Sequence, residues 1–552
     1  MLIHPRRTRF YVAAAAMTLV ASSALAQEPH AEKTTTTTST VSAEPAKPHA
    51  LTPDSITDGS VTVGGKPIAY KAVAGLLRVG GTDQTDATIA LDGTQLPDSG
   101  VEPPKPGDEP ATATMFYTAY LAKGENIATR PLVFIYNGGP GSATMYLRMS
   151  SFGPVRVVLP DLGHPAGGPY KIVSNEDSLL DAADLVFVDA PGTGYSRVMG
   201  KDANKAFYGI DQDAGAFQRF IRRFLTKYDR WNSPRFLFGE SYGTTRDAVL
   251  AAALQRHGVD LNGVVFLSQI LSFDNSADGS DGNPGTDNGF FLALPSFAAT
   301  AWYHHKVPNQ PAELLPWLHE VEQYSLGEYA SALLQGADLD AAKKAAVAAK
   351  LESYTGIPAA LWIKANLRIT GGQFAQDLLG SSNETTGRLD SRWQGPSMNP
   401  MDSEAQSDPF SESIESAILA AMNTYAHNTL NFGKEMTYEP SARMPGWKWD
   451  MTVKGQGGGW PGTSSNVMSE IAYTMKVNPH MHILLMGGYF DLGTLYFGAT
   501  YEMKHLPMSE SLQKNIDYKF FQTGHMVYVN PEARAALHQR TAEFIRANQA
   551  GQ

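Results

Sequence analysis

The chain opens its ordered pattern with alternation. Ser60-Val61-Thr62-Val63 and Ile68-Ala69-Tyr70-Lys71-Ala72 put apolar residues at every second position around Gly64-Gly65. That spacing predicts two strands joined by a tight turn. A further strand pair is expected around Thr112 to Leu121. Then the pattern changes to short runs that are apolar throughout: Leu132-Val133-Phe134-Ile135-Tyr136, Leu185-Val186-Phe187-Val188, Phe236-Leu237-Phe238, Val264-Val265-Phe266-Leu267 and Ile483-Leu484-Leu485-Met486. Such runs fit strands buried on both faces. Helical spacing separates them, as over 216–228 and 245–255. Strand alternating with helix predicts an α/β fold with a largely parallel central sheet. Between about 300 and 435 the residues are rich in Ala, Leu and Glu at helical spacing, with no doubly apolar run. This stretch reads as a helical cap inserted into the sheet domain, which divides into 58–299 and 436–552.

The first 57 residues lie outside this pattern. Arg6, Arg7 and Arg9 precede a short apolar run over 11–20, and Ala24-Leu25-Ala26 has the small-x-small form of a cleavage site. Residues 1–26 therefore read as a secretory signal peptide, with a short membrane anchor as the alternative. The arginine pair leaves general or twin-arginine export open. Residues 27–57, with five consecutive threonines from Thr34, read as a flexible linker. No later stretch has the length of a membrane span, so an exported, soluble protein of the bacterial envelope is expected.

Composition narrows the chemistry. Of 552 residues, 44 are Lys or Arg and 55 are Asp or Glu, for a formal net charge of -11. That balance argues against nucleic acid as a partner, because phosphate neutralisation needs a basic face. The chain has no cysteine, which removes disulfides, thiolate metal sites and a thiol nucleophile. His304-His305 and His480-x-His482 lack the partners and spacing of a zinc site. The loop from Asp274 to Gly289 has glycine where a calcium loop wants glutamate, and reads as surface. No metal and no organic cofactor is called for.

The strongest chemical signal is Gly239-Glu240-Ser241-Tyr242-Gly243, directly after an apolar strand and before a helical pattern. A strand, a Gly-x-Ser-x-Gly turn and a helix make a nucleophile elbow, which holds the serine hydroxyl above the sheet. Serine needs a base to take its proton. On such a scaffold the acid and then the histidine follow in the chain. Asp491, after the run ending at Met486, and His525, after Tyr518-Lys519-Phe520-Phe521, stand in that order at strand C-terminal ends. An oxyanion needs two backbone donors. One is expected from Tyr242 and the other from the loop Asn137-Gly138-Gly139-Pro140-Gly141, with Gly139 the candidate.

Four blocks, Asn137-Gly-Gly-Pro-Gly-Ser142, Val188-Asp-Ala-Pro-Gly-Thr-Gly-Tyr-Ser196, Gly239-Glu-Ser-Tyr-Gly243 and Gly524-His-Met526, resemble the signatures of the serine carboxypeptidase family and occur in its order. The resemblance implies an α/β-hydrolase fold and release of C-terminal residues from peptides that carry a free carboxylate. It implies Ser241 as nucleophile, His525 as general base and Asp491 as orienting acid. It places Asn137 and Glu240 at the substrate's terminal carboxylate, where a carboxyl must share a proton with the substrate and acidic pH is favoured. A second glutamate usual in the family falls on Ser151, and a usual cysteine falls on Ser142. Arg148 shares a helical face with Ser151 if the stretch is helical. It then either pairs with the substrate carboxylate or is an ordinary solvated arginine. An esterase or acyltransferase on the same scaffold, and a binding protein without catalysis, remain alternatives.

Overall fold

The computed structural model describes residues 50–97, 99–100, 104–105, 107–279, 283–453 and 465–549. The expected signal peptide, the linker up to residue 49 and the glycine-rich stretch at 454–464 lie outside the described residues.

The N-terminal hairpin forms as the alternation predicts. β1 (Ser55–Val63) pairs antiparallel with β2 (Lys66–Gly80). Both turn glycines, Gly64 and Gly65, have positive φ, 54° and 77°, which suits a two-residue turn. Pairing begins at Ser55, opposite Ala74, so the strand takes in the last residues expected in the linker. The expected pair near 112–121 is one long strand, β3 (Thr112–Ala122), antiparallel to β2.

Six parallel strands follow: β4 (Leu132–Tyr136), β5 (Asp184–Val188), β6 (Arg235–Glu240), β7 (Gly263–Leu267), β8 (His482–Gly488) and β9 (Ile516–Phe521). The spatial order is β1-β2-β3-β5-β4-β6-β7-β8-β9, and a short strand at Arg197–Met199 pairs with β3 to complete a ten-stranded sheet. The swap of β4 and β5, with parallel crossovers on both sides, is the strand order of the α/β-hydrolase fold, which this chain adopts. Every residue of β4, β5 and β7 is buried. Alternate residues serve the two faces: Val133 and Ile135 join one core cluster, and Leu132, Phe134 and Tyr136 join the other. This is why the runs lack polar alternation.

α1 (Ile210–Lys227) and α2 (Tyr242–Arg256) cover one face. The other face is covered by α4 (Pro409–Asn428) and α5 (Pro531–Asn548), where α4 comes from the long connection between β7 and β8. That connection also carries α3 (Asn288–Tyr303) and helices over Leu314–Tyr324, Ala341–Thr355 and Gly371–Leu378. They share a third core cluster with Phe490, Leu492 and Tyr496, just beyond β8.

Candidate active site

Ser241 follows the last residue of β6 and caps α2, with φ 61° and ψ -130°. A non-glycine residue in this region stores about 1–3 kcal/mol of strain, which the surrounding fold must impose. The two flanking glycines show how. A Cβ at Gly239 would stand 2.3 Å from Asp247 Oδ2 and from Gly243 O, and one at Gly243 would stand 3.1 Å from Tyr136 O. The turn is therefore pressed between β4 and its own helix, and only glycine fits at 239. Ser241 itself is half-buried, and Gly139, in the loop after β4, is exposed.

Asp491 and His525 come from the loops after β8 and β9. His525 Nδ1 lies 2.7 Å from Asp491 Oδ2, and both side chains are buried. Asp491 is gripped from all sides. Gly493 N–H and Thr494 N–H donate to Oδ1 at 2.8 and 2.9 Å, and the Thr494 hydroxyl donates to Oδ2 at 2.7 Å. Donors on both oxygens stabilise the anion. Thr494 is a site residue that the sequence reading missed. Its only signal is a hydroxyl residue three positions after an aspartate at a strand end. Burial pushes the His525 imidazole down, but the charge and hydrogen bond of Asp491 more than reverse this and raise it from the ordinary histidine value. Glu240 acts in the same direction and Arg388 opposes it.

The parallel register brings these loops to one sheet edge. Glu240 is level with Leu267, and Leu267 with Met486. Ser241 N–H donates to Leu267 O at 2.9 Å. The next residue, Ser268, donates its hydroxyl to His525 O at 2.7 Å. The long connection adds a clasp: His525 N–H donates to Leu389 O, Leu492 N–H to Arg388 O and Ser391 N–H to Phe490 O. One segment thus braces both the aspartate and the histidine loops.

Asn137 and Glu240 meet directly, Asn137 Nδ2 donating to Glu240 Oε1 at 2.9 Å. Leu147 N–H donates to Asn137 Oδ1 at 3.1 Å. Burial raises the Glu240 carboxyl to about 7, against easing contributions from His525, Tyr528 and Asn137. Among the described residues its Oε2 makes no hydrogen bond of ordinary geometry, and the nearby Tyr528 hydroxyl is the group that eases its ionisation there. Such a carboxyl is neutral below pH 7 and can share its proton.

Arg148 is engaged in buried contacts of its own. Its stretch is π-helical over Arg148–Phe152, with all five residues buried. The guanidinium lies 3.6 Å from Asp189, donates to Thr118 Oγ1 at 2.7 Å and sits 5.3 Å from the centre of the Phe116 ring. It is therefore not a solvated arginine: the guanidinium has no solvent exposure, and Asp189 is its ion-pair partner. That aspartate also accepts Thr144 N–H at 2.8 Å, so the pair supports the turn after the glycine loop. Ser151 is fully buried beside it in the chain. His304 ties the Ser391 carbonyl at 2.7 Å, and the described residues contain no cluster of His, Asp and Glu that could hold a metal.

The serine carboxypeptidase family model matches residues 106–265. Three of the four signature blocks fall inside that segment, and the resemblance read from them is borne out. The chain is 32% identical over 143 residues to the pheromone-processing carboxypeptidase KEX1 of Yarrowia lipolytica, covering 25% of this chain and 22% of that protein. It is 30% identical over 138 residues to serine carboxypeptidase-like 33 of Arabidopsis thaliana, covering 24% and 26%. The matches thus span about a quarter of the length of these curated relatives. The crystal structure of the prohormone-processing carboxypeptidase Kex1 from Saccharomyces cerevisiae overlays with a TM-score of 0.48 at 13% identity, covering 86% of this chain and 91% of that one.

Proposed function

We propose that this chain is an exported serine carboxypeptidase-like hydrolase that removes C-terminal residues from peptides. In this reading Ser241 Oγ attacks the scissile carbonyl and passes its proton to Nε2 of His525. Asp491 at Nδ1 holds the tautomer that leaves Nε2 free to accept it. Gly139 N–H and Tyr242 N–H stabilise the oxyanion. Collapse breaks the C–N bond, and the imidazolium gives its proton to the departing amine. Water, deprotonated by the same imidazole, then splits the Ser241 ester. Asn137 and neutral Glu240 hold the substrate's terminal carboxylate, with one proton shared between the two carboxyl groups.

The observation that carries the reading is the Asp491–His525 contact of 2.7 Å at the same sheet edge as a serine held at φ 61°. The order Ser, Asp, His and the family match over 106–265 support it as well. Export is supported by the arginine-led apolar segment ending in Ala24-Leu25-Ala26. No helix among the described residues is long and apolar enough to cross a membrane.

The test compares one peptide with a free and an amidated C-terminus, in the wild-type protein and in Ser241→Ala. Hydrolysis of the free form alone, lost in the variant, is the expected result. Equal cleavage of both forms would instead favour an esterase-like or general acyl-transfer enzyme. No cleavage, together with no fluorophosphonate labelling, would refute the hydrolase reading.

A further inference from the structure

Oxyanion stabilisation of the kind proposed depends on two donors from separate segments, and nothing covalent sets their spacing. The segments meet backbone to backbone. A Cβ on Gly138 would stand 2.5 Å from Tyr242 N and 2.7 Å from Glu240 O. Contact this close can still slide, so a tie is needed across it.

Arg246 supplies one. It lies a turn into α2, the helix that begins at Tyr242, and is fully buried. Its Nη1 donates to the carbonyl of Asn137 at 2.9 Å, two residues before Gly139. Its Nε donates to Asp213 Oδ2 of α1 at 2.7 Å, and neither side chain has any solvent exposure. The guanidinium carbon is 4.3 Å from the centre of the Phe217 ring, 5.1 Å from that of Tyr136 and 5.5 Å from that of Tyr242. Three rings and one carboxylate thus fix the plane of the group, and one N–H of that plane holds the glycine loop.

The geometry points to Arg246 as the positioning residue that sets the distance between the Gly139 and Tyr242 backbone donors, with Asp213 as its anchor. This rests on the hydrolase reading above. A guanidinium suits the task because its donors have fixed mutual directions, whereas a lysine ammonium is a point charge on a flexible stem. In a water-free setting the bond to Asn137 O is strong. Asp213 makes the buried charge tolerable there. A donor that moves away from the oxyanion weakens an interaction made fully only in the transition state. The loss therefore falls on kcat and leaves KM unchanged.

The test is Arg246→Lys, with active sites counted by fluorophosphonate titration so that only folded, reactive protein enters kcat. We expect kcat per titrated serine to fall roughly 10- to 100-fold, short of the loss of a whole oxyanion donor, with KM within about twofold of wild type. The rate of fluorophosphonate inactivation should fall in parallel, because the phosphoryl oxygen uses the same donors. If Arg246→Lys does not fold, the pair Arg246→Gln with Asp213→Asn removes both buried charges together and carries the same test. A lowered melting temperature with kcat per titrated serine unchanged would assign Arg246 to stability alone and overturn the inference. A wild-type protein that neither cleaves peptides nor reacts with fluorophosphonate would refute the hydrolase reading itself.

Discussion

Glu240 offers the sharpest test, because its burial makes a stability prediction with a defined sign. Its carboxyl is fully buried and titrates at about 7, against an ordinary 4.5. Below pH 4.5 the group is protonated in both folded and unfolded chains and contributes no difference. Between 4.5 and 7 the unfolded chain loses the proton while the folded protein keeps it, so stability falls as pH rises. Above 7 both are ionised and the cost is complete. At about 1.4 kcal/mol per pH unit, that gap amounts to roughly 3 kcal/mol. Glu240→Gln removes the titration while keeping an oxygen for Asn137 Nδ2. Its new amide group takes the place of Oε2, beside the Tyr528 hydroxyl. Denaturant unfolding of both proteins from pH 4 to 8 should give near-equal stabilities at pH 4, with the variant ahead by roughly 3 kcal/mol at pH 8. The same substitution separates substrates. KM of the wild type for a free-carboxylate peptide should climb above pH 7, as an ionised Glu240 repels the substrate. The climb should be absent in Glu240→Gln and absent for an ester substrate in either protein. A stability difference that stays constant across this range would refute the account of Glu240.

Three further outcomes follow from the same geometry. Ser241→Gly should abolish acyl chemistry yet stabilise the protein by about 1 kcal/mol in thermal melts, since glycine relieves the strain at φ 61°; a destabilised variant would show that the hydroxyl, not the backbone, dominates there. Thr494→Val removes the hydroxyl donor to Asp491 Oδ2 and should lower kcat roughly 10-fold or more at constant KM, the scale of one hydrogen bond to a charged group; steady-state kinetics with kcat unchanged would dismiss its role. For an ester substrate, which bypasses Glu240, kcat should rise with pH through a midpoint above 6.5, because Asp491 holds His525 above that value; a midpoint below 6.5 would contradict the carboxylate–imidazole geometry.

The sheet was legible because its strands are buried on both faces, and such strands carry the same signal wherever the partners lie. The run Leu132–Tyr136 coincides with β4, and the other four runs fall inside β5 to β8. The elbow and the order of Asp491 and His525 were legible for a related reason: glycine context and strand ends are local. What stayed hidden is the burial of charge. Arg148 and Arg246 sit in polar runs, Arg-Met-Ser-Ser and Thr-Thr-Arg-Asp, and hydropathy assigns such runs to solvent. Both are buried because an aspartate from a distant segment meets them, Asp189 in one case and Asp213 in the other. Asp247 is buried in the same way, accepting from the Tyr136 hydroxyl. No local pattern encodes a partner that distant. The distribution of these pairs is informative in itself. Arg148–Asp189 braces the turn after the glycine loop, Arg246–Asp213 holds the loop's first carbonyl, and Tyr136–Asp247 lies under Gly239. Buried ion pairs are poor sources of net stability, since desolvation offsets their attraction. Two such ion pairs and one buried phenol–carboxyl contact around one strained turn are better explained by what they fix in space, which is the position of the two loops that flank Ser241.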